Sequence, residues 1–212
     1  MPARKTFANL DPEKQRRVMD AAIGEFAEHG FHQASVNRIV AKLGIAKGSL
    51  FKYFGSKQGM FQCVFEQAVE LFSEPLRRIR KETQGEPFFT RLKISLLGGL
   101  AFIREYPDIY RIYCKMLFQE DFPLRERFLS DVRLYSAKYL RPMVEQGIGQ
   151  GELRPDLDVD LAVFFLDAVL DRYLQAHAVS FMDAGLGVYG ADSKSVPEQV
   201  DELLTFLRHG LG

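Results

Sequence analysis

The chain has 212 residues, 47% hydrophobic and 26% charged, which is a globular composition long enough for one large domain or one domain with a small module. No run approaches the roughly 18 apolar residues of a membrane span, and the N-terminus lacks the apolar stretch of a secretory signal. The two cysteines, Cys63 and Cys114, lie in apolar segments typical of reduced thiols. We therefore expect a cytoplasmic protein without membrane contact.

The net charge of zero is unevenly distributed along the chain. Residues 1–60 contain ten Lys and Arg against five Asp and Glu, whereas residues 61–212 contain 18 against 23. A basic head on an acidic body is expected where one end of a protein meets a polyanion. A solvated basic face explains the same asymmetry, so charge alone does not decide.

Apolar side chains recur with helical spacing almost everywhere, and strand patterns are nearly absent, so we predict an all-α protein of about nine helices. Residues 1–10 are expected to form a flexible basic arm. Asp11 and Pro12 begin the first helix, and Gly30 ends it. The following helices are predicted over residues 35–43, 47–54, 57 into the seventies, 87–105, 108–118, 123–146, 158–182 and 197–207.

The segment 35–57, SVNRIVAKLGIAKGSLFKYFGSK, has the plan of a helix-turn-helix. A short turn containing Gly44 lets its two helices cross steeply. The second helix can then enter a major groove about 12 Å wide, with Lys47 and Gly48 at its N-terminus, where the helix dipole also favours phosphate. A small three-helix bundle of another function can show the same periodicity.

The residues of this segment closely resemble the signature of the TetR family of bacterial transcriptional regulators. The run from Gly44 to Lys57 is similar to the family's G-V-S-K-G-T-L-Y-x-Y-F-x-S-K. Upstream, residues 27–31 resemble its F-x-x-x-G-[YF], and residues 35–40 resemble its [ST]-[TV]-x-x-I-A. The resemblance covers about residues 11–65; beyond it, only the length and the helix pattern match.

The resemblance implies a DNA-binding regulator of transcription. It would be a repressor that binds double-stranded operator DNA, and not an enzyme. It implies an all-α fold with a DNA-binding domain over 1–56 and an effector-binding and dimerisation domain over 57–212. Lys47 and Gly48 would approach bases, and Ser35 would cap the second helix near phosphate. The full set of predicted DNA-binding residues is Ser35, Lys47, Gly48, Ser49, Lys52, Tyr53 and Lys57.

Three residues depart from the family's pattern. Ala46 replaces the usual Ser and removes a helix cap, and Phe51 replaces the usual Tyr and removes a hydroxyl. Val40 stands where Ala is common. These departures leave DNA binding in place and put the detailed contact list in doubt.

Apolar and aromatic side chains are dense over residues 88–135, and they fit either a solid core or the effector cavity that the resemblance implies. Ligand sites are apolar clefts with a few convergent polar groups, so the expected effector is a small apolar or amphipathic molecule that releases DNA. The candidate pocket residues are Leu96, Leu100, Ile103, Tyr106, Tyr110, Tyr113, Tyr135, Phe165 and Arg172.

Helix 158–182 is apolar on most sides, and helix 197–207 adds an apolar stripe. A helix that is apolar all round is either deeply buried or shared with a partner, so we expect a homodimer through these two helices. Asp167 and Asp171 lie one turn apart in the first of them. These two carboxylates fit a solvated helix face or, because the helix is otherwise apolar, pairing with Arg172 or with a partner chain.

No metal site or cofactor is predicted, because the four histidines are scattered and Gly147-x-Gly149-x-Gly151 follows no strand. The competing interpretation is a helical ligand-binding protein or enzyme whose N-terminal bundle only resembles a DNA reader. Such a protein would show no salt-dependent retention on DNA. An activator or an effector-free regulator is a third possibility, which reporter output would distinguish.

Overall fold

A computed structural model describes residues 6–118, 122–192 and 194–211, with residues 134–136 and 211 described through their backbone only. No strand occurs among these residues, and the predicted all-α fold is confirmed. The long helices are α1 (Pro12–Gln33), α2 (Val36–Leu43), α3 (Lys47–Phe54), α4 (Lys57–Glu82), α5 (Phe88–Glu105), α6 (Pro107–Phe118), α7 (Arg125–Gly149), α8 (Val159–Ala178) and α9 (Val196–Leu211). A 3-10 turn at Ser180–Met182 follows α8.

The chain forms two compact units that do not follow chain order. The first contains the residues up to Phe72 together with Tyr106–Leu129, and the second contains Ser73–Glu105 together with the residues from Ser130 onward. None of the helices in the described part of the chain is long and apolar enough to cross a membrane.

In the first unit, α1 packs along α6 and against α2. The helix begins where predicted, because the Asp11 carboxylate accepts the N–H groups of Glu13 at 3.0 Å and Lys14 at 3.4 Å. Its backbone leaves the helical conformation at Gly30, which has a φ of 67° and a ψ of −178°. The predicted break at this glycine is therefore confirmed, although the helix resumes briefly after it.

The prediction of a flexible arm is wrong for residues 6–10, and residues 1–5 lie outside the described residues. The Phe7 ring packs 4.9 Å from the ring of Phe54 and 6.2 Å from that of Tyr53. The Gln15 side chain donates to the carbonyl oxygen of Leu10 at 2.8 Å. The Phe7 side chain thus anchors residues 6–10, which had been expected to belong to an exposed arm.

In the second unit, α5 packs against α8 and α9, and buried side chains from α5, α7, α8 and α9 form its hydrophobic core. Arg133 of α7 pairs with Asp167 at 2.7 Å and with Asp171 at 2.6 Å. The expectation that Arg172 answers these carboxylates is therefore wrong. The exposed Arg172 instead has a guanidinium N–H close to the sulfur of Met182.

Candidate nucleic-acid interface

The helix-turn-helix is built by local capping. The Ser35 hydroxyl accepts the Arg38 N–H at 3.5 Å and begins α2. Gly44 ends α2 in the left-handed conformation, with φ 67° and ψ 33°, and its N–H points back to the carbonyl oxygens of Val40 and Ala41. Since only glycine adopts this conformation without steric cost, Gly44 fixes the sharp turn that redirects the chain into α3.

Helix α3 buries one face and exposes the other. Leu50, Tyr53 and Phe54 are all less than a tenth exposed and pack into the first unit. The opposite face is open to solvent and consists of Lys47, Gly48, Phe51 and Lys52. Two lysines, a bare stretch of backbone and an aromatic ring therefore share one accessible surface, which suits a groove lined with phosphates and base edges.

The N-terminus of α3 is uncapped. Ala46 precedes the helix with φ −70° and ψ 141°, and no side chain accepts a hydrogen bond from the first turn. The first N–H groups of a helix have no partner within it and carry partial positive charge. Gly48 adds no side chain, and a Cβ atom there would meet nothing within 4 Å. An anion can approach this helix end closely.

A buried carboxylate joins α1 to the start of α2, the helix that precedes α3. Glu25, with its side chain 9% exposed, accepts the Ser35 N–H at 2.7 Å and the Arg38 Nε–H at 2.9 Å. Burial alone raises the pKa of Glu25, but the hydrogen bonds from Arg38 and Ser35 outweigh it and hold the pKa below its ordinary value. The hydrogen bond to Glu25 in turn raises the pKa of Arg38. This network fixes the start of α2.

Lys57 is engaged within the protein. Its Nζ donates to the carbonyl oxygens of His32 at 3.1 Å and Ala34 at 3.2 Å, and it lies 4.8 Å from the centre of the Phe31 ring. Two of its three N–H donors are thus used to tie the end of α1 to the start of α4. Its predicted contact with DNA phosphate stays a prediction, with one donor left to make it.

The other predicted DNA-binding residues differ in their exposure to solvent. Lys47, Gly48 and Lys52 are exposed, and Ser35 and Ser49 are half-buried. Most of the Tyr53 side chain is buried against Phe7 and Phe54, so only its edge is available to a ligand. The Lys47 Nζ lies 6.0 Å from the centre of the Phe51 ring, which brings a charge and an apolar surface together.

The predicted effector residues fall in both units. Tyr106, Tyr110 and Tyr113 belong to the first unit, whereas the others belong to the second. In the second unit Leu96 and Leu100 are buried core residues, and Ile103 packs against that core. Phe165 is 45% exposed and Arg172 is exposed. The Tyr135 side chain lies outside the described residues.

The first unit contains a small apolar crevice. It has room for about one water-sized sphere, about 10 Å³. Of the candidate pocket residues, Tyr113 lies on its wall. The lining residues are Phe61, Val64, Phe65, Ala68, Ile109, Ile112, Tyr113, Met116 and Phe128.

Sequence reasoning missed Glu25, Arg38 and Phe7 as parts of this region. Glu25 and Arg38 are 13 residues apart and look like ordinary solvated charges on separate helices. The one available signal was position: Glu25 lies between Ala22 and Phe26 on the apolar side of α1, where an acidic side chain needs a partner.

Comparisons with known proteins agree with this geometry. The model of the bacterial regulatory proteins of the tetR family matches residues 18–64, and that of the tetracyclin repressor-like C-terminal domain matches residues 86–212. The fatty acid metabolism regulator protein of Bacillus subtilis is 28% identical over 166 residues, which is 75% of this chain and 80% of that protein.

Two solved structures share the fold over most of their length. A TetR family transcriptional regulator from Chloroflexus aurantiacus has a TM-score of 0.74 and 29% identity, over 98% of this chain and 97% of that chain. FadR from Bacillus subtilis, solved in complex with stearoyl-CoA, has a TM-score of 0.67 and 20% identity, over 89% and 96%.

The two family models together span the DNA-reading helices and the whole second half of the chain. Both describe transcriptional regulators, which are not enzymes, and the interpretation of the chain as a helical enzyme is thereby set aside. The chain belongs to the TetR family of DNA-binding bacterial transcriptional regulators.

Proposed function

We propose that the protein is a homodimeric repressor that acts in the cytoplasm and leaves its operator when a small apolar or amphipathic effector binds. Helix α3 lies in the major groove, with Lys47, Gly48 and Ser49 toward base edges. The sugar-phosphate backbone is held by Ser35, Lys52, the edge of Tyr53 and the remaining donor of Lys57. The observation that carries this assignment is the exposed face of α3, with Lys47 at an uncapped helix N-terminus and Lys52 further along the same face.

The dimer forms through α8 and α9. The supporting observation is a set of large apolar side chains that these helices leave in solvent: Leu161 (65% exposed), Phe164 (70%), Phe165 (45%) and Phe206 (81%). Leu161, Phe164 and Phe165 share one face of α8, and exposed apolar patches are typical of interfaces. Other apolar side chains of these two helices, such as Leu166 and Leu204, are buried in the protomer's own core, so the interface uses the opposite faces.

The effector acts on the region after residue 56. The crevice beneath α4 supports this proposal, because its lining is apolar and the helix that forms one wall starts three residues after α3 ends. The crevice is too small to hold an effector itself; it leaves α4 room to move when an effector binds elsewhere in the region after residue 56. Ligand-induced movement of α4 would then disturb the recognition helix. The fatty acid metabolism regulator among the relatives favours an apolar effector.

The experiment starts from a pool of random duplexes, from which repeated binding and elution select the preferred operator. Fluorescence anisotropy on that operator then gives affinity as a function of salt, and log Kd is expected to rise steeply with log salt. Fatty acids, acyl thioesters, flavonoids and cationic drugs are added next, and at least one class is expected to release DNA. Failure to select any sequence contradicts DNA reading; selection without release contradicts the effector alone.

A further inference from the structure

The second unit contains a buried arginine with an incomplete set of partners. Arg91 of α5 is 4% exposed. Its one hydrogen-bonded side-chain partner among the described residues is neutral: NH1 donates to the Gln146 amide oxygen at 2.7 Å. The Nε–H group is buried and has no acceptor. A permanent positive charge thus lies inside the protein with one of its donors unsatisfied.

Two other buried or half-buried charged side chains show how unusual an unpaired buried arginine is. Arg133 contacts two carboxylates, and the buried carboxylate of Glu25 contacts Arg38. Around Arg91, by contrast, no carboxylate of the described residues lies within the 4.0 Å of a salt bridge. Buried charges in proteins are normally paired, because removing an ion from water is costly.

The neighbouring polar groups do not supply the missing negative charge. The Ser95 hydroxyl donates to the Arg91 carbonyl oxygen at 2.7 Å, so the Tyr139 hydroxyl, 2.6 Å away, donates to Ser95. The carboxylate of Glu152 is already used, since both its oxygens lie 3.0 Å from the Phe88 N–H at the start of α5. The neighbours of Arg91 along α5, Phe88, Phe89 and Leu92, belong to the apolar core of the unit.

We propose that Arg91 binds the carboxylate of an effector that is a monocarboxylic acid with an apolar body. Two parallel N–H donors of a guanidinium match the two oxygens of a carboxylate, and such pairs are stronger than neutral hydrogen bonds. NH1 keeps its bond to the Gln146 amide oxygen, while the unsatisfied Nε–H and the NH2 group on the same side of the guanidinium take the two carboxylate oxygens. The apolar body enters the core to which Phe88 and Leu92, the neighbours of Arg91 in α5, belong. This inference rests on the proposed effector and specifies its polar end.

The test compares acids with their uncharged counterparts. Thermal unfolding of the full-length protein is followed with monocarboxylates from butanoate to hexadecanoate, below micelle formation, each beside its methyl ester. At least one acid is expected to raise the Tm where its ester does not. In Arg91→Met that difference disappears, with at least about tenfold weaker acid binding. The Tm without added acid stays the same or rises, because an apolar side chain replaces an uncompensated buried charge.

Arg133→Met is the matched control, since it removes an arginine that has its carboxylates and is expected to lower the Tm. Equal effects of acid and ester, or an acid preference that survives Arg91→Met, overturn the proposal. So does a fall in Tm for Arg91→Met as large as that for the control. If Arg91→Met does not fold, the uncharged Arg91→Gln is used, and an undiminished acid preference there has the same meaning. DNA release is measured separately, so acid binding without release contradicts the proposed function only.

Discussion

Helices α3 and α8 both present an outer face to solvent, and the chemistry of the two faces is opposite. The face of α3 carries Lys47 at the start of the helix and Lys52 in its last turn. That of α8 carries Leu161, Phe164 and Phe165, all more than two-fifths exposed. The first is suited to a polyanion and the second to another apolar surface.

The difference teaches which evidence identifies which kind of surface. Lysines in water are in their ordinary place, so exposure alone says nothing about DNA, and the spacing of the motif has to supply that information. Exposed phenylalanines on a helix are unusual, because burying each one stabilises an assembly by about 1.5–3 kcal/mol. Exposure therefore supports the proposed dimer surface, whereas the sequence pattern supports the proposed DNA surface.

The largest effect is expected from a charged substitution on the exposed apolar face of α8. Phe164→Glu places a charge on the proposed dimer surface and is expected to give monomers at micromolar concentration by light scattering. Operator affinity should fall by about 10²–10⁴, because two linked half-site contacts become separate events. Phe118→Glu, which changes another exposed phenylalanine in the first unit, is the control and should stay dimeric. A dimeric Phe164→Glu protein would place the interface elsewhere.

Substitutions on the cationic face of α3 should change the salt dependence of DNA binding rather than the assembly of the dimer. Lys52→Ala is expected to lower the slope of log Kd against log salt by about 0.9 and to weaken all sequences alike. Lys47→Ala should instead relax discrimination at one or two base pairs by about 1–3 kcal/mol, if this lysine reads a guanine. The exposed Lys81 of α4 gives the control, Lys81→Ala. Unchanged slopes and unchanged specificity in both α3 variants would contradict the assignment of this face.

The stabilisation that Glu25 provides at the start of α2 is expected to depend on pH. Because the pKa of Glu25 is lowered by folding, its stabilising effect is present above its ordinary pKa of 4.5 and is lost as the pH falls through the lower folded value. Glu25→Gln should therefore reduce the free energy of unfolding by about 1–3 kcal/mol at pH 7, with a smaller difference below pH 4.5. Urea titrations across this range measure it. Glu28→Gln, at a 73% exposed position of the same helix, should change little at any pH.

The predictable parts of the molecule are those that depend on neighbouring residues in sequence. The cap at Ser35, the left-handed turn at Gly44 and the missing cap at Ala46 all involve groups within a few positions, and the structure has each of them. Helix existence was predictable for the same reason. Pro75 and Pro142 lie inside α4 and α7, which continue past both.

The less predictable parts depend on contacts between distant segments. The carbonyl groups that hold Lys57 are 23 and 25 residues away, and the arginine that answers Asp167 and Asp171 comes from α7 rather than from their own helix. Helical spacing shows that a residue such as Leu96 or Phe165 is apolar, and it does not show which neighbour it faces. The predicted effector residues were therefore spread over both units, and the pattern did not show which side chains of α8 are exposed.

The smallest expected effect concerns the uncapped end of α3. Ala46 already has the extended backbone of an N-cap, so Ala46→Ser supplies a hydroxyl that can accept a first-turn N–H without rearrangement. The free energy of unfolding should rise by about 1 kcal/mol, which corresponds to a Tm increase of about 2–4 °C at this chain length. Ala46→Val, which adds bulk without a hydroxyl, should give no increase. In DNA binding the new hydroxyl competes with phosphate for the same N–H but offers its own O–H in return, so operator affinity should change by less than about threefold. A stabilised protein with strongly weakened DNA binding would mean that the phosphate depends on the bare N–H groups of α3, whereas no stabilisation at all would mean that those groups already have partners.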